Sequence, residues 1–143
     1  MKTINLLVAG LLMSSAVQFA KADAGSPTLY DQLGGKPAIT KVVDDMVAHV
    51  GADKRINHFF ANANMPRLKM LLVEQICAGS GGPCTYTGKS MADAHKGMNI
   101  KSADFNALVE DLQMSLADNN VPTSQGNQLL AILAPMKKDV DHK

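Results

Sequence analysis

Residues 36–50 read Lys36-Pro37-Ala38-Ile39-Thr40-Lys41-Val42-Val43-Asp44-Asp45-Met46-Val47-Ala48-His49-Val50, and their spacing decides the fold class. Ile39, Val42, Val43, Met46, Val47 and Val50 fall at i, i+3, i+4, i+7, i+8 and i+11, the single apolar stripe of an amphipathic helix. Pro37 is tolerated in the first turn, where its missing N–H breaks no bond, and Gly34-Gly35 interrupt the chain just before it. Farther along, residues 53–64 read as a turn carrying Phe59-Phe60. A second helix is predicted over 66–78, with Leu68, Leu71, Leu72 and Ile76 on its face and the polar Gln75 beside them. Gly79-Ser80-Gly81-Gly82-Pro83 stops it. Ser90-Met91-Ala92-Asp93 resembles a capping box with Asp in the place of Glu, and the short helix it opens puts Met91, Ala94, His95 and Met98 on one side. Phe105, Leu108, Val109, Leu112 and Leu116 stripe a further helix; Leu129, Ile132, Leu133, Met136 and Val140 stripe the last, across the break Asn119-Asn120-Val121-Pro122. Nothing alternates with the period of a strand, so the class is all-α.

Residues 1–22 stand apart from this pattern. Lys2 supplies a positive start, Leu6 to Phe19 is mostly apolar but broken by Ser14, Ser15 and Gln18, and Ala20-Lys21-Ala22 presents small residues at a cleavage spacing. A membrane helix needs roughly 20 continuous apolar residues, so we read 1–22 as a secretory signal, 23–28 as a linker and 29–143 as one domain. The expected address is exported, in the manner of a bacterial periplasm, with no stable membrane anchor after cleavage. Cleavage removes Lys2 and Lys21 and no acid, so 14 basic residues become 12 against 13 acidic ones. That balance offers no basic face for nucleic acid. Cys77 and Cys84 match no zinc pattern, and no Cys-x-x-Cys-His run exists to tether a haem covalently. A disulfide and two free thiols both remain open. Trp is absent while Met reaches 9, so aliphatic and thioether side chains must fill the core.

Of the four histidines, His142 lies in the tail, His49 is off its helix's apolar stripe, and His58 precedes Phe59-Phe60 in a turn, where it either lines a pocket mouth or faces water. His95 shares a face with Met91, Ala94 and Met98. A neutral imidazole placed there needs a hydrogen-bond partner or a metal. Periodicity alone favours the first.

Other residues bear on that choice. Leu29-Tyr30-Asp31-Gln32-Leu33-Gly34-Gly35, Phe59-Phe60, Met65-Pro66-Arg67-Leu68-Lys69, Gly81-Gly82-Pro83, Tyr86-Thr87-Gly88, Met91, Ala94-His95-x-Gly97-x-x-Ile100, Phe105 and Val121-Pro122 follow one another in a fixed order. This ordered set resembles the group I truncated haemoglobins over roughly 30–140, without gaps. The resemblance implies a two-over-two helical sandwich around one non-covalent haem b per chain. His95 matches the family's proximal iron ligand, Phe60 the ring packed on the porphyrin, and Arg67 a cation pairing with haem propionates. Leu68, Ile76, Met91, Ile100, Phe105, Leu108, Leu129 and Leu133 fall where the family lines its pocket, though each is also ordinary core by its spacing.

The distal pocket departs from the family. The tyrosine and glutamine that typically hold bound oxygen are replaced by Val47 and Leu72, which carry no donor. Gln75 lies about one turn beyond Leu72. Tight oxygen binding is therefore not carried over, and storage and nitric-oxide dioxygenation lose their usual residues. The first reading is a protein that binds a small diatomic gas (oxygen, carbon monoxide or nitric oxide) at iron held by His95. The alternative is an exported redox protein with six-coordinate iron, serving a partner protein, in which Met46 or Met70 supplies a thioether. An enzyme such as a peroxidase lacks a visible distal acid–base residue, so no catalytic residue is assigned. A helical domain that kept the fold and lost the cofactor is the remaining option.

Overall fold

The computed structural model describes residues 25–142, so the leader assigned to 1–22 and the first linker residues lie outside the described residues. The described chain is helical, without strands: α1 (Leu29–Gln32), α2 (Gly35–Ala52), a 3-10 turn (Asn57–Phe60), α3 (Met65–Gly79), α4 (Met91–His95), α5 (Ser102–Asp118), α6 (Thr123–Leu133), a second 3-10 turn (Ala134–Met136) and α7 (Lys137–Val140).

Helix α2 is the spine. Its stripe Ile39, Val42, Val43, Met46 and Val50 is buried, and α2 packs against both α3 and α5. Val73, Ile76 and Cys77 from α3, Leu112 and Leu116 from α5 and Leu129 from α6 complete the main core. Each buried aliphatic side chain contributes roughly 1.5–3 kcal/mol by leaving water. Ser115, fully buried on α5, donates its hydroxyl to the Val42 carbonyl and fixes the α2–α5 register.

Two elements differ from expectation. The motif 29–35 contains a one-turn helix, α1, whose N-cap Thr28 accepts from the Asp31 amide at 3.2 Å while the Asp31 carboxylate accepts from the Thr28 amide at 3.0 Å. Four residues are too few to show a helical stripe. The final helix, expected as one piece, is interrupted at Ala134–Met136 because Pro135 has no N–H to continue the α-helical ladder. The apolar stripe nevertheless runs through the break and ends on buried Val140.

The helix-stopping run 79–83 turns back under α1. Tyr30 N–H donates to the Ser80 carbonyl at 2.9 Å. A Cβ at Gly82 would sit 2.4 Å from the Tyr30 ring and 2.7 Å from Cys77 Sγ, so no side chain fits there. Cys77 and Cys84 form a disulfide, with Cα atoms 5.7 Å apart, which closes this turn. Among the described residues no helix is long and apolar enough to cross a membrane.

Candidate functional site

Between α2, the Asn57–Phe60 turn, α3, α4 and α5 lies a cavity of about 740 Å³. Volumes of 300–1,000 Å³ are typical of sites for organic cofactors. Met46, Val47 and Val50 face it from α2, Phe59 and Phe60 from the turn, Leu68, Leu71, Leu72 and Gln75 from α3, Met91 and His95 from α4, and Leu108 from α5. The chain brings α4 there through an irregular segment held twice to α3. One hold is the Cys77–Cys84 disulfide. The other is Glu74, whose carboxylate accepts from the Thr87 amide at 2.9 Å and the Thr87 hydroxyl at 2.8 Å. Those two bonds hold the Glu74 carboxyl below the usual carboxylate range. Ser90 then caps α4, its hydroxyl oxygen accepting from the Asp93 amide at 3.1 Å.

The half-buried His95 ends α4. Its Nδ1 lies 2.8 Å from the Met91 carbonyl. A carbonyl only accepts, so Nδ1 carries the proton, and in the neutral ring Nε2 keeps a free lone pair. The bond also fixes the ring plane, as second-sphere bonds do for metal-ligating histidines. His95 lines both the large cavity and a smaller recess of about 60 Å³ formed with Ile100, Phe105 and Val140, so the ring stands between two apolar spaces. One ring nitrogen of His95 is thus satisfied as in a core histidine, and the other is left with a lone pair to offer. Among the described residues no cluster of three or more His, Cys, Asp or Glu could hold a metal ion.

Of the expected pocket residues, the structure gathers Phe60, Leu68, Met91, His95 and Leu108 with Met46, Val47, Leu72 and Gln75 around the cavity. Ile100 and Phe105 border only the smaller recess. Ile76 and Leu129 instead flank a small void of about 10 Å³ in the main core, and Leu133 packs on that core. Arg67 follows Met65 and Pro66 in the first turn of α3, but its side chain is exposed and does not line the cavity. Met70 is 45% exposed and turned away, which removes it as a partner to a bound group; Met46 is 5% exposed and lines the cavity. His49, read as solvated, pairs with Asp118 on α5 at 2.7 Å.

His58, one of whose two expected positions was a pocket mouth, lines the cavity; so do Asn57, Met65, Tyr86 and Met98, to which the sequence assigns no pocket role. Met98 shares the face of His95, a signal that was present. Tyr86 sits in irregular chain, where no periodicity reports direction. Burial, with the nearby Glu74 charge second, raises its hydroxyl pKa, and the hydroxyl donates to the Lys89 carbonyl at 2.8 Å.

Comparison with known proteins agrees with this architecture. A family profile described as bacterial-like globin matches residues 28–142. The group 1 truncated hemoglobin GlbN of Mycolicibacterium paratuberculosis is 34% identical over 128 residues, covering 90% of this chain and 93% of that protein. The crystal structure of the Tetrahymena pyriformis truncated hemoglobin in its Fe(III) form superposes with a TM-score of 0.79 at 33% identity, over 82% of this chain and all of that one. The 2/2 hemoglobin of a Synechococcus species, solved in a cyanomet state with covalently attached heme, gives 0.76 at 28% identity, over 82% of this chain and all of that one.

Proposed function

The chain belongs to the group 1 truncated haemoglobins, a membership that implies a haem cofactor and diatomic gas binding, and we propose that it holds one haem b non-covalently with His95 Nε2 as the protein ligand to iron. The observation that carries this reading is the pairing of His95 Nδ1–H with the Met91 carbonyl, which leaves the Nε2 lone pair uncommitted on a ring that lines a large apolar cavity. When bound, the haem supplies the open iron position at which a gas molecule is held. The chain's residues do the rest. Phe60, Leu68, Met91 and Leu108 would enclose the group and exclude water, the His95 ring is fixed by the Met91 carbonyl, and Val47 and Leu72 would add a further apolar lining. Oxygen, carbon monoxide and nitric oxide are the ligand class.

The experiment replaces His95. His95→Gly is expected to lose most haem binding, or to hold iron whose spectrum exogenous imidazole restores. Unchanged haem content and an unchanged visible spectrum in the variant overturn the assignment.

A second reading rests on Met46. Buried and facing the cavity, its thioether is available as a sixth ligand, and His/Met ligation favours electron transfer to a redox partner. A low-spin ferrous spectrum without added ligand supports that reading; a five-coordinate spectrum supports gas binding.

We further place the protein outside the cytoplasm, with 1–22 as the cleaved leader. A disulfide of this kind persists in oxidising compartments.

A further inference from the structure

The polar side chains around the cavity are few, and most are already committed. Tyr86 donates its hydroxyl to the Lys89 carbonyl at 2.8 Å, and His95 Nδ1–H is engaged by the Met91 carbonyl. Asn57 reaches the Gly51 carbonyl at 3.4 Å, and His58 is an exposed residue stacked on Phe59. Gln75 is different. Its half-buried amide Nε2 donates to two sulfur atoms, Met91 Sδ at 3.4 Å and Met136 Sδ at 3.2 Å. A thioether is a weak acceptor, so this amide sits in an apolar space with its donors poorly satisfied. Exchanging either sulfur for a partly negative oxygen or nitrogen is favourable.

Gln75 also lies on the face of α3 that closes the cavity, seven residues after Leu68 and three after Leu72, both of which line it. We infer that Gln75 is the specificity-determining donor of this pocket, turning from the two thioethers to hydrogen-bond a small ligand whose outer atom accepts, such as dioxygen or cyanide. The inference rests on the haem reading above. It also assigns Met91 and Met136 a function beyond filling space: they park the amide when no ligand is present.

The test uses the haem-loaded protein, with Gln75→Met as an unbranched side chain of similar length lacking the donor. Gln75→Glu is the second variant, a donor only when protonated. The Soret band of each is recorded first, then the C–O stretching band of the carbon monoxide complex and the rate of oxygen release. With the donor removed, Gln75→Met is expected to move the C–O band to higher wavenumber and to release oxygen about tenfold faster, the scale of one charge-assisted hydrogen bond. Gln75→Glu is expected to acquire a band position that depends on pH. An intact Soret band with unchanged C–O band and release rate in both variants overturns the donor role alone. Loss of haem from both variants makes Gln75 an architectural residue and overturns it as well. A wild type without a Soret band removes the haem reading itself.

Discussion

Two polar side chains sit in the interior under opposite conditions. His95 has one ring nitrogen bonded and one free beside a cavity, whereas Asp111 on α5 is 1% exposed and its Oδ2 has no partner among the described residues. Burial, reinforced by Asp53 and opposed by Arg55 and His49, pushes the Asp111 carboxyl above its ordinary 3.8. A raised folded-state pKa means that the fold favours the protonated acid. The stability tied to it is complete below the unfolded value and is lost as pH climbs through the folded one. Asp111→Asn is therefore expected to raise stability at pH 7 by about 1–3 kcal/mol, and the gain should shrink as pH falls toward 3.8. Urea melts of both proteins across that range check it; a gain that persists in acid contradicts the titration. The distal residues carry a second expectation. Val47 and Leu72 line the cavity without a donor, so Val47→Tyr with Leu72→Gln should slow oxygen release at least about tenfold, one charge-assisted bond being worth ~1–3 kcal/mol and 1.4 a decade. If Gln75 already supplies a bond, its Gln75→Met effect should be smaller in that background than in wild type, and stopped-flow displacement measures both.

At the level of elements, the site is a five-residue helix that cannot be stable by itself, since helices that short do not repay their nucleation. Helix α4 is held on one side by the doubly anchored 80–90 segment and on the other by α7. Helix α7 is in turn clamped to the start of α5: Lys137 Nζ donates to the Asp141 carboxylate and, at 2.7 Å, to the Ser102 hydroxyl, which itself donates to Asp141 at 2.7 Å. The clamp presses Val140 and Phe105 into the recess behind His95. Lys137 first, then Ser102, hold the Asp141 carboxyl below 3.8, so its contribution is present above that value and fades as pH falls through the lowered one. Asp141→Asn should lower the melting temperature at neutral pH, narrow its deficit in strong acid, and speed haem loss to an acceptor globin. Unchanged haem loss would separate the clamp from the site. The long helices behind this arrangement were readable, because stripes such as Ile39 to Val50 repeat often enough to fix a face. Helix α1 and the break at Ala134–Met136 were not, since one turn shows no period and a stripe continues straight through a 3-10 turn. Periodicity also could not separate Ile76 and Leu129, which fill the main core, from Leu68 and Leu72, which line the cavity: all four are apolar at helical spacing.

For the whole molecule, the open question in the sequence was what the two cysteines do, and it bears on where the protein resides. The structure closes Cys77 to Cys84 across seven positions, tying α3 to the segment that leads into α4. Reducing compartments do not sustain such a bond, while exported proteins keep theirs. The leader proposed for 1–22, with its Ala20-Lys21-Ala22 spacing, is consistent with that from independent residues. A loop of this length stabilises by about 2.5 kcal/mol on chain-entropy grounds, and the segment it steadies is the one that places Tyr86 on the cavity, bonds Thr87 to Glu74 and leads into α4. The proposed export would then bear on the site geometry: protein held in a reducing cytoplasm would carry the same residues with α4 on a looser mount. The native protein is expected to begin at or near Asp23 and to contain no free thiol. Intact-mass measurement before and after alkylation, on material purified without reductant, reads both properties at once. A mass that retains Met1 to Ala22 refutes the leader. Alkylation of Cys77 and Cys84 without prior reduction refutes the disulfide, and with it the proposed dependence of the pocket on export.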